Sequence, residues 1–473
     1  MNKIKPQTFH LISLGCAKNT VDSDSMARLL GTEGFRPEAD PYSAAVLLVN
    51  TCGFIGPAKD ESYRTLSEMA RIKGKDQLLI AAGCLTQRYG AEVIRRVPGI
   101  DGLLGTRRWM DIVEVVQQLR DRAHPEPLYH LPEEAVTVGT DERAVPRITR
   151  QGASAYIKIA DGCRRPCAFC AIPLIKGTAV SRPQEAVLAE ARALRDAGVR
   201  EIVLIAQDTT DYGHDLGIKD GLAELLEALP AAVPEVDWIR VMYAFPGYVT
   251  DRMIGSMAAH PQLIPYLDMP LQHADPMVLR AMRRPANMDW VRRTLARMRE
   301  AMPDLALRTT FIVGYPGETE AAFQTLLDFV EETRFDRVGA FQFSFEPGTT
   351  SEPLGDPVPA DVKQERWERL MELQQGISFE RNQAFVGRTL DVLIEGQGKV
   401  EGSGEPISIG RSYRDAPEID GVVLIEGEIP EGEMVPARIT GALSYDLTGV
   451  VDIILENGIP GSSRAAARYS IFP

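Results

Sequence analysis

Residues 161–177 read DGCRRPCAFCAIPLIKG and place Cys163, Cys167 and Cys170 in one short loop. The C-x3-C-x2-C spacing follows an apolar stretch that begins near Tyr156. A [4Fe–4S] cluster normally takes four cysteine thiolates. Three thiolates leave one iron open, and an open coordination position on a metal is where substrate chemistry takes place. The loop therefore predicts a catalytic iron–sulfur cluster.

A structural zinc loop is the alternative for these three cysteines. Zinc closes its shell with four ligands, and no Cys or His near the loop supplies the fourth. The spacing resembles the signature of the radical S-adenosylmethionine (SAM) superfamily. This resemblance implies that SAM binds at the open iron and that an electron from the cluster cleaves it to methionine and a 5′-deoxyadenosyl radical.

The other three cysteines, Cys16, Cys52 and Cys84, each end an apolar stretch: HLISLGC, VLLVNTC and LLIAAGC. They are about one βαβ unit apart. The carboxyl ends of parallel strands lie along one edge of a sheet, and neighbouring strands are about 5 Å apart. Three thiolates at these ends can therefore meet on a second cluster. Three small cysteines packed in a core are the alternative.

Apolar runs alternate with helical patterns along most of the chain. This alternation predicts an α/β protein with a doubly wound parallel N-terminal domain and a central, open partial barrel of six βα units. Short β-rich runs near the C-terminus predict a small antiparallel β-barrel. The predicted boundaries are 1–122 for the first domain, 123–152 for a linker or hairpin-like connector, 153–385 for the partial barrel, 386–457 for the small barrel and 458–473 for a tail.

The composition indicates a cytoplasmic protein. The 473 residues contain no signal-peptide pattern and no apolar run of membrane-spanning length. The net charge is −14, and residues 386–473 have 7 Lys and Arg against 14 Asp and Glu, a net charge of −7. Direct nucleic-acid binding is not expected, because it needs a positive groove along the phosphates. A basic protein partner fits this charge.

Several strings resemble the methylthiotransferase family, and GRSYRDAPEIDG (410–421) resembles its C-terminal TRAM module. The resemblance implies replacement of a C–H bond by C–S–CH3, with two SAM molecules used, one as methyl donor and one as radical source. It also implies an auxiliary cluster in the first domain that carries the transferred sulfur. The strings are SLGCAKNTVDSD (13–24), NTCGFI (50–55), DGCRRPCAFCAIPLIKG (161–177), AQDTTDYG (206–213), DMPLQHA (268–274), LRAMRRP (279–285) and TTFIVGYPGETE (309–320).

The resemblance extends to residues that would contact SAM or substrate. Ala206, Gln207, Asp208 and Thr209 correspond to a segment that holds the methionyl amino group of SAM in related enzymes. Each residue could instead form a turn or a cap. Lys176 and Arg182 in KGTAVSR either bind a carboxylate or are solvated. The remaining candidates follow later strands of the barrel: Gln272 and His273, then Gly314, Gly317 and Glu318.

The family includes enzymes that modify a tRNA adenosine and one that modifies an aspartate in protein twelve of the small ribosomal subunit. The strings resemble the second type. The tRNA type usually has an Asn-rich string where this chain has Gln207 to Tyr212, and Ser-Gly where it has His273 and Ala274. The predicted partners are this basic ribosomal protein, bound through the acidic TRAM domain, and an electron donor of unknown identity. An iron–sulfur electron carrier is the alternative of another class, but six cysteines cannot close two clusters.

Overall fold

The computed structural model describes residues 7–121 and 126–452, and its contacts divide the chain into two compact units. One unit comprises the residues up to Thr333 together with Val338–Met371. The other comprises Arg334–Arg337 together with the residues from Glu372 onward. The predicted tail, residues 458–473, lies outside the described residues.

The N-terminal part of the first unit is a six-stranded, all-parallel sheet, in the strand order β2-β1-β3-β4-β5-β6. The predicted parallel α/β domain is confirmed. Its elements are β1 (Thr8–Ser13), α1 (Ala17–Thr32), β2 (Arg36–Pro37), β3 (Val46–Thr51), α2 (Gly56–Ile72), β4 (Leu78–Gly83), α3 (Cys84–Tyr89), α4 (Ala91–Arg96), β5 (Gly102–Gly105), a 3-10 helix (Thr106–Asp111), α5 (Ile112–Asp121) and β6 (Leu128–His130).

Strand β3 shows why this sheet is covered on both faces. Alternate side chains of a strand point to opposite faces. Val46 and Leu48 pack into one hydrophobic core, and Leu47 and Val49 pack into a second core. All four side chains are fully buried, as expected for a parallel sheet between two layers of helices.

The segment predicted as a linker or hairpin-like connector contributes a strand at each end. Strand β6 adds a parallel edge to the N-terminal sheet. The next strand, Ile148–Gln151, pairs antiparallel with the first strand of the barrel. The prolines between them, Pro132 and Pro146, lie in stretches without regular structure.

The central part is an open sheet in the order β15-β14-β13-β12-β11-β8-β7. Parallel pairing runs from β8 through β14, and the predicted open partial barrel is confirmed. The elements are β7 (Ile148–Gln151), β8 (Ser154–Lys158), β9 (Ala160–Asp161), α6 (Ile172–Lys176), β10 (Val180–Ser181), α7 (Gln184–Asp196), β11 (Glu201–Ile205), a 3-10 helix (Thr209–Asp211), α8 (Gly221–Ala232), β12 (Trp238–Val241), α9 (Asp251–Ala259), β13 (Leu263–Asp268), α10 (Pro276–Ala281), α11 (Met288–Ala301), β14 (Ala306–Val313), α12 (Glu320–Thr333), β15 (Arg337–Gln342), a 3-10 helix (Glu352–Leu354) and α13 (Ala360–Gln383).

The second unit contains a closed five-stranded barrel in the order β16-β17-β18-β20-β19. The predicted small antiparallel barrel is confirmed, with one addition: β18 and β20 run parallel. Its core includes Val392, Ile394 and Val435. The strands are β16 (Thr389–Lys399), β17 (Pro406–Ser412), β18 (Val423–Glu426), β19 (Met434–Ala442) and β20 (Leu447–Val451).

Buried ion pairs tie the barrel to Arg334–Arg337 within the second unit. Arg337 pairs with Asp415 at 2.5 Å, and Arg414 pairs with Asp336 at 3.1 Å. All four side chains are buried. Arg414 and Asp415 of GRSYRDAPEIDG therefore join the barrel to this segment of the second unit. None of the helices in the described ranges combines the length and apolar character needed to cross a membrane.

Candidate functional site

All six cysteines line one cavity of about 330 Å³ in the first unit. Three come from the N-terminal sheet and three from the barrel loop at residues 163–170. The cavity therefore joins two motifs that are far apart in the sequence. Aromatic and apolar side chains, among them Phe54, Phe169, Phe245 and Pro270, form much of the remaining wall.

The N-terminal cysteines lie at the carboxyl ends of three adjacent parallel strands. Cys16 follows β1 and is the N-cap of α1. Cys52 follows β3 directly, and Cys84 follows β4 as the first residue of α3. The order β1-β3-β4 within the sheet brings the three ends to one edge.

Two glycines allow these cysteine loops to approach each other closely. A Cβ at Gly15 would lie 2.9 Å from the Cβ of Cys52 and 3.2 Å from its Sγ. A Cβ at Gly53 would lie 2.6 Å from the Cα of Leu85 and 2.9 Å from the carbonyl carbon of Cys84. Contacts this short exclude any side chain at either position. Glycine at both positions therefore permits Cys16, Cys52 and Cys84 to converge.

A buried network of polar groups fixes the same edge of the sheet. The side-chain amide of Asn50 donates to the backbone oxygen of Asn19 at 3.0 Å and to the hydroxyl of Ser23 at 2.9 Å. Asn19 donates in return to the backbone oxygens of Asn50 and Leu14, at 3.2 and 2.6 Å. These bonds hold the strand ends in place and explain the two asparagines in SLGCAKNTVDSD and NTCGFI.

Hydrogen bonds also organise the barrel loop around its cysteines. The backbone N–H of Cys163 donates to the oxygen of Gly177 at 3.0 Å. The backbone N–H of Arg165 donates to the Sγ of Cys163 at 3.4 Å, and Nη1 of Arg284 donates to the Sγ of Cys167 at 3.5 Å. Donors that face cysteine sulfurs are typical of iron–sulfur sites, where they set the reduction potential.

Four of the thiols occupy surroundings that disfavour a bare thiolate. Burial raises the pKa of Cys84 to about 12, although the ammonium group of Lys176 acts in the opposite direction. Burial likewise raises the pKa of Cys163 to about 12 and raises the pKa of Cys52 and of Cys170. A metal ligand must be deprotonated, so binding of iron here releases protons and supplies the missing positive charge.

The donor set fits iron–sulfur clusters better than single metal ions. Within residues 7–121 and 126–452, no group of three or more His, Cys, Asp or Glu side chains could hold one metal ion. In a [4Fe–4S] cluster each thiolate binds a different iron, so its cysteine sulfurs do not converge on one atom. Two sets of three cysteines around one cavity fit that requirement.

Among the residues that the structure describes, four cations and no carboxylate line the cavity: Lys18, Arg165, Lys176 and Arg284. Such a lining compensates negative charge on thiolates, clusters or substrates. The cavity is thus electrostatically suited to anions, in contrast to the protein as a whole, which carries a net charge of −14.

Lys176 belongs to a buried group of four charges that joins the N-terminal domain to the barrel. It pairs with Asp161 at 2.9 Å and with Asp22 at 3.1 Å. Lys158 pairs with the same two carboxylates. Burial works to raise the pKa of Asp161, but the two ammonium groups outweigh it and hold that pKa below its usual range.

Two arginines bracket one aromatic ring in the cavity wall. The guanidinium carbons of Arg165 and Arg284 lie 4.7 and 3.9 Å from the ring centroid of Phe245. Arg165 also pairs with Asp208 at 2.5 Å. This stack connects the loop of Cys163 and Cys167 to the residues after β12 and fixes both arginines beside the cysteines.

Of the cofactor-binding residues predicted from the sequence, Gln207 and Gln272 line the cavity. Ala206, Asp208 and Thr209 are buried and do not line it. Asp208 accepts hydrogen bonds from Arg165 and from Thr210. The hydroxyl of Thr209 donates to the oxygen of Met242. Asp208 and Thr209 therefore support the wall from behind.

The residues after β14 turn away from the cavity. Gly314, Gly317 and Glu318 are not among its lining residues. The carboxylate of Glu318 accepts hydrogen bonds from the backbone N–H groups of Gly314 and Tyr315, at 2.5 and 3.1 Å. His273 is also fully buried and accepts a hydrogen bond from the backbone N–H of Asp275. Glu318 thus stabilises the turn itself.

Lys176 and Arg182 are both buried, so the solvated alternative is wrong for each. Both bind carboxylates, and these belong to the protein. Arg182 pairs with Glu190 at 2.6 Å and with Asp141 at 3.0 Å. Its role is structural, whereas Lys176 combines an internal ion pair with a place in the cavity wall.

Eleven of the cavity residues were not singled out from the sequence, and five of these carry a positive charge or lie against one: Lys18, Arg165, Tyr243, Phe245 and Arg284. Three of these five lie in strings that had been quoted for the family resemblance. Tyr243 lies outside those strings and has φ of +62°, and Gln272 has φ of +77°. Left-handed backbone at bulky residues is costly and clusters at functional sites. Nothing in the sequence indicates this left-handed backbone at Tyr243 or Gln272.

Three family models match parts of the chain. The radical SAM superfamily matches residues 157–330, the uncharacterized protein family UPF0004 matches residues 8–105, and the TRAM domain matches residues 386–451. The first two matches include all six cysteines. The third covers the closed barrel.

Two curated relatives match nearly the whole chain. A protein from Chloroflexus aurantiacus is 50% identical over 93% of this chain and 99% of the relative. One from Roseiflexus sp. (strain RS-1) is 48% identical over 93% and 96%. Both are called ribosomal protein uS12 methylthiotransferase RimO. The chain belongs to the RimO family. As a RimO-family member with a radical SAM domain, it is an enzyme that uses SAM and a [4Fe–4S] cluster.

A solved structure shares the fold of this RimO-family protein. It is TsrM from Kitasatospora setae, a radical SAM methyltransferase determined with cobalamin and a [4Fe–4S] cluster bound. The TM-score is 0.55 at 15% identity, over 73% of this chain and 74% of that chain. The similarity shows a shared fold over about three quarters of each chain.

Proposed function

We propose that this protein methylthiolates ribosomal protein uS12, replacing a C–H bond at the β-carbon of an aspartate by C–S–CH3. The observation that carries the proposal is the single cavity lined by six cysteines, three from each of two domains. An unactivated C–H bond has no acidity for a general base to exploit, so radical chemistry supplied by a cofactor is required.

Two iron–sulfur clusters fit the two sets of cysteines. Cys163, Cys167 and Cys170 hold the cluster that binds SAM, and Cys16, Cys52 and Cys84 hold an auxiliary cluster. When bound, these groups supply a 5′-deoxyadenosyl radical from one SAM and a sulfur methylated by a second SAM. Because both sets line one cavity, the hydrogen atom and the methylthio group can be exchanged at the same substrate carbon.

The chain's own residues exclude water and balance charge around this exchange. Phe54, Phe169 and Phe245 provide an apolar wall, which protects a radical from side reactions. Arg165 and Arg284 lie beside the cysteines of the barrel loop and offset the negative charge of their thiolates.

The acidic C-terminal barrel fits a basic protein substrate. Eight acidic side chains in residues 386–452 are exposed, against the three basic side chains of Arg388, Lys399 and Arg438. Arg411 and Arg414 are buried in ion pairs, so the surface of the barrel is more acidic than its composition alone indicates. Complementary charge accelerates the encounter of two proteins and selects against wrong partners.

One end of the barrel carries most of this negative charge. The β16–β17 turn contains the exposed Glu401 and Glu405. Glu426 at the end of β18 is also exposed, as are Glu428 and Glu431 in the segment that follows. The two segments are neighbours, because the backbone N–H of residue 427 donates to the backbone oxygen of residue 406. We call these five glutamates the acidic end and propose it as the docking surface for uS12.

An enzyme that modifies a ribosomal protein acts in the cytoplasm. It also needs a one-electron donor for the cleavage of SAM. A tRNA substrate is the second candidate. The absence of a positive surface on the described barrel argues against it, because single-stranded RNA binding uses a cationic groove.

The test is an anaerobic assay of the reconstituted protein with uS12 and tRNA offered in parallel. We expect mass spectrometry to find one added SCH2 unit on a single aspartate of uS12. We also expect one equivalent each of 5′-deoxyadenosine and S-adenosylhomocysteine per modified aspartate. Methylthio-adenosine in the tRNA, with unmodified uS12, would overturn the substrate assignment. If the clusters can be reduced but the protein releases no 5′-deoxyadenosine from SAM, the result would instead favour an electron carrier.

A further inference from the structure

Lys18 differs from the other three cations of the cavity in its partners. Lys176 pairs with Asp22 and Asp161, and Arg165 pairs with two aspartates of the AQDTTDYG string. Arg284 donates to the oxygen of Pro270 and to the Sγ of Cys167. Each of these three side chains is already held by an acceptor of the protein.

No carboxylate in the described part of the chain lies within ion-pair distance of Lys18. Its Nζ lies 3.5 Å from the ring centroid of Tyr243, a cation–π contact. Among the groups whose charge acts on Lys18, Tyr243 and Cys16 have larger effects than Asp268, and Asp268 itself pairs with Arg308 at 2.8 Å. An ammonium group has three donors, and a ring face does not satisfy them all. Lys18 is therefore a partly buried cation that is prepared to receive an anion.

Lys18 comes from the N-terminal domain and contacts a residue of the barrel in the cavity that all six cysteines line. It is the second residue of α1 and follows Cys16 by two positions, whereas Tyr243 follows β12 of the barrel. The contact between them thus spans the two domains inside the first unit. Tyr243 has left-handed backbone, with φ of +62°, and this strained conformation is kept where its ring meets the ammonium group.

We propose that Lys18 binds the side-chain carboxylate of the substrate aspartate; this deepens, and rests on, the function proposed above. The carboxylate is bonded to the β-carbon that reacts. A charge-assisted hydrogen bond from Lys18 therefore positions the C–H bond to be broken. The carboxylate of the SAM that gives the radical is a less suitable partner, because we assign this SAM to the cluster of the barrel cysteines, whereas Lys18 follows Cys16 by two positions.

The experiment measures binding of fluorescent uS12 peptides to the anaerobically reconstituted protein, with SAM present and no reductant. One peptide has the native aspartate and the other has asparagine. We expect the wild-type protein to bind the aspartate peptide about ten- to a hundredfold more tightly, the usual effect of a hydrogen bond between charged groups. Equal affinity for both peptides would overturn the proposal without any variant.

A double-mutant cycle assigns the preference to Lys18. We expect Lys18→Met to lose the preference by weakening the aspartate peptide alone, and Lys18→Arg to keep most of it. Lys73→Met removes a lysine of the same unit that lies outside the cavity, and we expect it to keep the full preference. Iron content checks that each variant holds its clusters. Equal weakening of both peptides by Lys18→Met would show a structural role and overturn the proposal.

Modification assays separate this inference from the proposed function. If the wild-type protein modifies uS12 and Lys18→Met still discriminates the two peptides, the role of Lys18 is wrong and the function stands. If the wild-type protein modifies tRNA and leaves uS12 unchanged, the proposed function itself is wrong and the inference falls with it.

Discussion

The Nη1 atom of Arg284 lies 3.5 Å from the Sγ atom of Cys167, although the two residues are 117 positions apart in the sequence. The guanidinium group is buried and is held by the ring of Phe245 and the backbone oxygen of Pro270. A cation therefore faces one of the three sulfurs that we assign to the SAM-binding cluster, and it cannot move away freely.

We expect Arg284→Gln to lower the reduction potential of the barrel cluster. Hydrogen bonds and positive charge at a ligand sulfur stabilise the reduced, more negative cluster. Redox titration followed by electron paramagnetic resonance measures the change. Arg293→Gln is the control, because Arg293 is exposed on α11 and lines neither the cavity nor the surface groove beside the barrel cysteines. An unchanged potential in Arg284→Gln, or an equal shift in both variants, would contradict the prediction.

Mutation should distinguish the functions of the two sets of cysteines. We expect about eight irons in the wild-type protein and about four after Cys52→Ala or Cys167→Ala. Cys167→Ala should abolish reductive SAM cleavage. Cys52→Ala should keep it and lose sulfur insertion. Iron analysis and product chromatography test this. Intact methylthiolation by Cys52→Ala would show that the N-terminal cysteines do not carry the sulfur.

Lys176→Met should destabilise the first unit by about 3–5 kcal/mol, because it leaves Asp22 and Asp161 with one cation between them in a buried site. Lys73→Met is the control. Lys73 pairs with Asp101 at a more exposed position, where loss of the pair costs about 1 kcal/mol or less. Urea unfolding of the iron-free proteins measures both. Equal effects would mean that Lys158 alone balances the two buried carboxylates.

The contribution of Asp161 to the stability of the folded protein should decrease as the pH falls. Burial favours a higher pKa for this carboxyl group, but Lys158 and Lys176 hold the pKa below its usual range. The folded pKa is thus below the unfolded value of about 3.9, so the contribution is complete above about pH 4 and is lost as the pH falls through the folded value. Thermal unfolding should show wild type and Asp161→Asn converging below about pH 4. A difference that grows in acid would be the opposite result.

Reversing charge at the acidic end should weaken binding of uS12. We expect Glu426→Lys with Glu428→Lys to reduce the affinity several-fold at low salt and less at high salt, because the Debye length falls from about 10 Å at 0.1 M to about 3 Å at 1 M. Asp391→Lys with Glu372→Lys makes the same change of charge elsewhere on the second unit. Titration with uS12 compares the two pairs. Equal weakening by both would indicate attraction to the whole domain instead of a local surface.

The fold was predictable where local patterns carry the information. Apolar runs separated by helical stretches indicated the parallel sheet and the open barrel, and the apolar stretch VLLVNT before Cys52 is strand β3. Short strands such as β2, β5 and β6 were not predicted. They have few residues each, and they are stabilised by the neighbouring strand more than by a pattern of their own.

The boundary between the two units near residue 385 was also only partly predictable from the sequence. Helix α13 ends at Gln383, close to the boundary predicted at residue 385. Its last part nevertheless belongs to the second unit, together with Arg334–Arg337. The buried pairs of Asp336 with Arg414 and of Arg337 with Asp415 are the reason. Ion pairs between residues 78 positions apart leave no local trace in a sequence.

The candidate site divides in the same way. The sequence by itself determined which cysteines form each set, because loop spacing and strand ends are local properties of the chain. Only the tertiary structure decided that both sets line one cavity, that Lys18 and Arg284 face it, and that Glu318 turns away from it. The surroundings of a side chain depend on segments that are far from it in the sequence. The positions of those segments follow from packing and from buried ion pairs across the whole unit.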